Sequence, residues 1–121
     1  MVCGMFEVTI CSTDGKALRR FDLSRLRSDG ARLIVGRAED CDIRIKSSSV
    51  SRHHCAIEID DGDWVVRDLG STLGTSVDGV QIAEAAIVPG LKVVIGPAVL
   101  MFESAVNRVA AEIGKELESQ E

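Results

Sequence analysis

Apolar residues fall in short alternating or continuous runs at 5–11, 17–23, 32–35, 42–45, 54–59 and 64–68, separated by clusters of Gly, Asp and Ser. Two further pairs of runs follow, 75–77 with 80–82 around Asp78-Gly79, and 92–95 with 98–103 around Gly96-Pro97. Runs of this length with period two put successive side chains on opposite faces of a strand, and Asp-Gly suits the positive φ angles of a tight hairpin. Ten to eleven short strands with no helix between them leave sheet-on-sheet packing as the way to bury two inner faces. The pattern therefore predicts an all-β fold, an antiparallel β-sandwich over residues 1–103. From Ser104 the period changes. Val106, Val109, Ala110, Ile113 and Leu117 recur at helical spacing behind a capping serine, which predicts a C-terminal amphipathic α-helix over 104–121. Two roles stay open for it: packing on the sandwich, or docking to a partner or to a second copy of the chain. Gly114 lowers its stability as an independent helix.

The chain has 121 residues, 45% hydrophobic and 27% charged, which fits one soluble domain with one core. Aromatic residues make up only 3%, so the core must be aliphatic. The net charge of −5 argues against a general affinity for nucleic acid, which needs a broad excess of Lys and Arg. Any anion site must be local. Cys3, Cys11, Cys41 and Cys55 lie at wide, unequal spacings with no CxxC pair, a pattern of neither a zinc site nor a redox motif. They read as free thiols of a reducing cytoplasm, with Cys11 and Cys55 in the core. Residues 1–13 lack a basic stretch followed by an apolar run, and no segment reaches membrane-spanning length. The expected location is cytoplasmic, with no membrane partner.

Candidate chemistry is concentrated in Gly36-Arg37, Ser51-Arg52-His53-His54 and Asp68-Leu69-Gly70-Ser71-Thr72-Leu73-Gly74-Thr75. Arg37 stands where a strand passes into a loop, and its planar fork can hold two phosphate oxygens at once. Taken alone it would be an ordinary solvated arginine. Ser51 and Arg52 lie in the polar loop 46–53, where a hydroxyl and successive main-chain N–H groups can form an anion-binding concavity. Ser47 and Ser48 read as turn formers. Ser51, His54 and Asp68 could be taken for a hydrolytic triad, yet the Gly-x-Ser-x-Gly elbow is absent, and Ser51 with His54 reads better as a structural pair. His53 and His54 point to opposite faces and cannot easily share a metal. The glycine-rich stretch 70–75 lacks the lysine of a nucleotide-phosphate loop. Asp68 is expected to order that turn through main-chain amides.

This ordered series resembles the core of forkhead-associated (FHA) domains over roughly residues 5–103, with Asp42-Ile43, Trp64, Gly90 and Ile95-Gly96 as further matches. The resemblance implies an FHA/SMAD-like sandwich that binds phosphothreonine and is not an enzyme. It assigns Arg37, Ser51, Arg52 and Thr72 to the phosphopeptide and Ser49, Ser71 and Leu73 to further peptide contacts. Gly36, His54, Asp68, Gly70 and Gly74 support the site. It implies no catalytic residue, metal or cofactor. The partner it implies is a phosphothreonine-containing protein supplied by a Ser/Thr kinase system. One position departs from the family pattern. Leu73 stands where an asparagine commonly holds the main chain of the bound peptide, and losing one neutral hydrogen bond costs about 0.5–1.5 kcal/mol. Leu73 either lines an apolar subsite or packs beside Ile82. The departure also motivates the alternative of an interaction or assembly protein whose binding is independent of phosphate.

Overall fold

Alternation along the first strand, β1 (Phe6–Ser12), turns Phe6, Val8 and Ile10 into the core, where all three are buried. The computed structural model describes residues 6–23 and 31–104. Ten more strands follow: β2 (Ala17–Asp22), β3 (Arg32–Gly36), β4 (Ile43–Arg44), β5 (Cys55–Asp60), β6 (Asp63–Asp68), β7 (Thr75–Val77), β8 (Val80–Ile82), β9 (Glu84–Ala86), β10 (Lys92–Ile95) and β11 (Ala98–Ser104). They form two sheets, in the orders β2-β1-β11-β10-β7-β8 and β4-β3-β5-β6-β9. Among the described residues there is no helix; the helix predicted over 104–121 lies outside them, with Ser104 ending β11.

The core between the sheets is mainly aliphatic, in keeping with the composition. Its largest fully buried side chains include Leu23, Ile43, Ile57, Ile95, Leu100 and Phe102. Phe6 and Trp64 add one edge-to-face ring contact, with centroids 5.3 Å apart. Cys55 belongs to this core, and burial pushes its thiol up to about 12. Cys11 is buried as well, outside the main inter-sheet cluster. It faces out of its sheet and lines an external groove with Val94, Val99 and Met101.

Two features depart from the expected pattern. β9 was not foreseen, because Glu84-Ala85-Ala86 carries one half-buried alanine and nothing β-branched; its pairing with β6 at Val66↔Ala85 sets it in place. The sandwich is also not wholly antiparallel, since β3 and β4 pair in parallel at Val35↔Ile43 and Gly36↔Arg44. Asp42 fixes that return by clasping Ile34: its N–H donates to the Ile34 carbonyl at 2.9 Å, and its carboxylate accepts from the Ile34 N–H at 2.8 Å. The β4 edge lasts only two residues, so no long crossover is needed.

Candidate functional site

The loops β3–β4 (37–42), β4–β5 (45–54) and β6–β7 (69–74) are drawn together by main-chain bonds. Gly36, the last residue of β3, makes the first approach possible. A Cβ there would overlap the Arg52 carbonyl oxygen and stand 2.8 Å from its carbon. With hydrogen in that place, Arg37 N–H donates to Ser51 O at 3.0 Å, Ala38 N–H to Arg52 O at 3.1 Å and His54 N–H to Val35 O at 2.8 Å. The Arg37 side chain is then held by its Nε–H, which donates to Val50 O at 2.9 Å. No carboxylate pairs with Arg37 among the described residues, so its terminal amino groups remain available to an outside acceptor.

His54 ties two of these loops together. It is fully buried; its Nδ1 accepts from Ser51 N–H at 3.1 Å and its Nε2 donates to Gly74 O at 2.9 Å. These main-chain partners require the Nε2–H tautomer. Ser51 Oγ accepts from Thr72 N–H at 3.0 Å, which leaves the hydroxyl hydrogen to donate elsewhere.

Asp68 orders the third loop as expected. Its carboxylate accepts from Gly70 N–H (2.9 Å), Ser71 N–H (3.0 Å), Ser71 Oγ (2.6 Å) and Thr75 Oγ1 (2.7 Å). Partial burial by itself would raise the carboxyl; the four hydrogen bonds outweigh it and hold Asp68 below the ordinary carboxylate range. Gly70 and Gly74 turn the chain at φ of 79° and 94°.

Together these contacts leave a cleft of about 320 Å³ lined by Arg37, Ser48, Ser49, Val50, Ser51, Thr72 and Leu73, with no carboxylate in its wall. Three of the four residues assigned to the phosphopeptide therefore meet: Arg37, Ser51 and Thr72. Arg52 is exposed beside the cleft but does not line it, and its carbonyl instead braces the β3–β4 loop. Ser49 lines the cleft. Ser71 is committed within its own loop, donating to Asp68 and accepting from Gly74 N–H at 3.0 Å. Leu73 is 54% exposed at the rim, while its carbonyl accepts from Gln81 Nε2 at 3.1 Å. Ser48, read from sequence as a turn former, is part of the wall; Ser47 does form the turn, accepting from Ser49 N–H. Thr75, wholly buried beneath Asp68, carries no linear signal of its role.

A hydrolytic relay is not assembled. Both ring nitrogens of His54 are taken by main-chain groups, and Asp68 faces Ser71 and Thr75. Chemically the arrangement can receive an anion: loops on a sandwich present a held guanidinium, a hydroxyl donor and an exposed threonine around a cleft without carboxylates.

The family model for the FHA domain matches residues 33–96, and the chain belongs to that family. It is 41% identical over 51 residues to proliferation marker protein Ki-67 of Mus musculus, covering 42% of this chain and 2% of that protein. It is 33% identical over 57 residues to FHA domain-containing protein FhaB of Mycobacterium tuberculosis, covering 47% of this chain and 37% of that protein. The matches thus span well under half the length of either relative. A structure solved in a structural and functional analysis of phosphothreonine-dependent FHA domain interactions is similar at a TM-score of 0.67 and 25% identity, over 82% of this chain and 95% of that one.

Proposed function

We propose that this chain is a phosphothreonine-peptide-binding signalling adaptor, reading proteins phosphorylated by a Ser/Thr kinase in the cytoplasm and catalysing nothing itself. The observation that carries this reading is the meeting of Arg37, Ser51 and Thr72 in one carboxylate-free cleft. A phosphothreonine brings about −1.5 to −2 charge and three acceptor oxygens, which calls for a guanidinium and short donors set in advance. Arg37 and Ser51 supply them, and Thr72 supplies a wall for the threonine methyl. Similarity to a structure from work on phosphothreonine-dependent FHA interactions supports the same reading.

The test is calorimetric titration of a degenerate phosphothreonine peptide library, with unphosphorylated peptides alongside, against the wild type and Arg37→Ala. Hydrogen bonds to a charged group contribute about 1.5–3 kcal/mol, so loss of the guanidinium should weaken phosphopeptide binding by roughly ten- to a hundredfold. A folded protein that bound both peptide forms equally would refute the reading. That outcome would favour a phosphate-independent interaction protein, the second reading, for which the exposed apolar Leu73 at the rim is the motivating observation.

A further inference from the structure

The β3–β4 and β4–β5 loops carry a second group of chemically active side chains that the peptide cleft does not use. Asp40, Cys41 and His53 each offer one ligand atom, and these atoms lie within 4.8 Å of one another. His53 Nε2 is 3.0 Å from Asp40 Oδ1, and Cys41 Sγ donates to the Arg52 carbonyl at 3.1 Å. We propose that Asp40, Cys41 and His53 form a binding site for a borderline-soft divalent cation of the zinc class.

The donor set decides the class. A thiolate and an imidazole beside one carboxylate suit zinc, whereas magnesium and calcium take oxygen ligands alone. Four-coordinate bonds of about 2.0–2.3 Å put neighbouring ligand atoms roughly 3.3–3.6 Å apart, so closing on a cation needs movements of about 1 Å. The exposed side chains of Asp40 and His53, 73% and 50% accessible, leave an open path of entry. Three protein ligands leave at least one position to water. On binding, Cys41 Sγ leaves the Arg52 carbonyl and releases its proton to solvent; the His53 Nε2 proton, held toward Asp40, is lost to solvent while Nδ1 carries the ring's one remaining N–H, and the freed Nε2 turns to the metal. No electron is transferred. The linear spacing hides the site, since Cys41 and His53 lie on different loops and only the approach at Gly36 brings them together.

The experiment is titration of the reduced full chain with Co²⁺ alone, read by the thiolate-to-cobalt charge-transfer band, followed by displacement with Zn²⁺ and, separately, Mg²⁺. Cys11 and Cys55 are buried, and Cys3 is controlled by Cys3→Ser. Wild type and Cys3→Ser should give the band, Zn²⁺ should abolish it and Mg²⁺ should leave it. Cys41→Ser should lose it, and His53→Gln and Asp40→Asn should each raise the apparent Kd at least about tenfold, since loss of even an outer-shell partner costs about 10–100-fold. Circular dichroism checks that each variant is folded. No band in the folded, reduced wild type, a band that persists in Cys41→Ser, or wild-type affinity in both other variants would overturn the site. No peptide enters the experiment, so its outcome is independent of the phosphopeptide reading.

Discussion

Replacing Gly36 by alanine isolates the contact on which the cleft depends. Gly36 does not have a positive φ, so an alanine there meets no backbone strain and the whole effect is steric. The new methyl would stand 2.8 Å from the Arg52 carbonyl carbon and 3.0 Å from His54 N, against a comfortable separation of about 3.5–4.0 Å for carbon. The β4–β5 loop must retreat by about 1 Å. Such overpacking costs about 1–3 kcal/mol. The retreat also stretches the bonds from Arg37 N–H to Ser51 O and from Ala38 N–H to Arg52 O, each contributing about 0.5–1.5 kcal/mol. The sum is about 2–6 kcal/mol, and at roughly 4 °C per kcal/mol for a domain of this size Tm should fall by at least about 8 °C. Gly70→Ala is the comparison. Its Cβ meets open space, but φ is 79°, so the cost is the left-handed penalty alone, about 1–2 kcal/mol. Thermal melts of the three proteins, with amide exchange at Arg37 and Ala38, provide the assay. A Gly36→Ala protein within about 4 °C of wild type, with both amides still protected, would refute the close-approach reasoning.

Asp68→Asn should destabilise the β6–β7 loop at neutral pH and matter less in acid. The folded carboxyl lies below its ordinary value of 3.8, so its stabilisation is present above that value and is lost as pH falls through the lower folded one. Melts of both proteins from neutral pH downward should converge, and a constant gap would contradict the carboxylate's role. His54→Ala leaves Ser51 N–H and Gly74 O without partners, at about 1–3 kcal/mol each; urea unfolding should show a loss of at least about 2 kcal/mol, and a smaller loss would mean that water replaces the ring. Leu73→Asn places an amide at the rim and should tighten phosphopeptide binding by about 0.5–1.5 kcal/mol in calorimetry, whereas unchanged or weaker binding would assign Leu73 an apolar contact of its own.

Period-two alternation made most of the sandwich legible, because burying one face of a strand forces that pattern. It could not reveal β9, whose three residues bury almost nothing, nor the direction in which β4 pairs, which the Asp42 clasp on Ile34 decides. At the site, Arg37, Ser51 and Thr72 were legible through their motif. The exclusion of Arg52 from the wall and the commitment of Ser71 to Asp68 were not, since both follow from how loops distant in sequence meet.

Two populations of residues around the cleft follow from how it is held. Gly36, His54, Asp68 and Thr75 act on the main chain or on each other beneath the surface, so changing any of them moves the loops as well as the wall. Arg37, Thr72 and Leu73 are exposed, and their side chains bear little of that load: Thr72 and Leu73 meet the scaffold through main-chain N–H and C=O, and Arg37 adds only its bond to Val50 O. On the proposed function, recognition can therefore be altered at the rim without loss of the fold. Leu73 is the clearest instance, because its carbonyl is fixed by Gln81 while its side chain is largely exposed, so a substitution there changes the rim and leaves Arg37 and Ser51 in position.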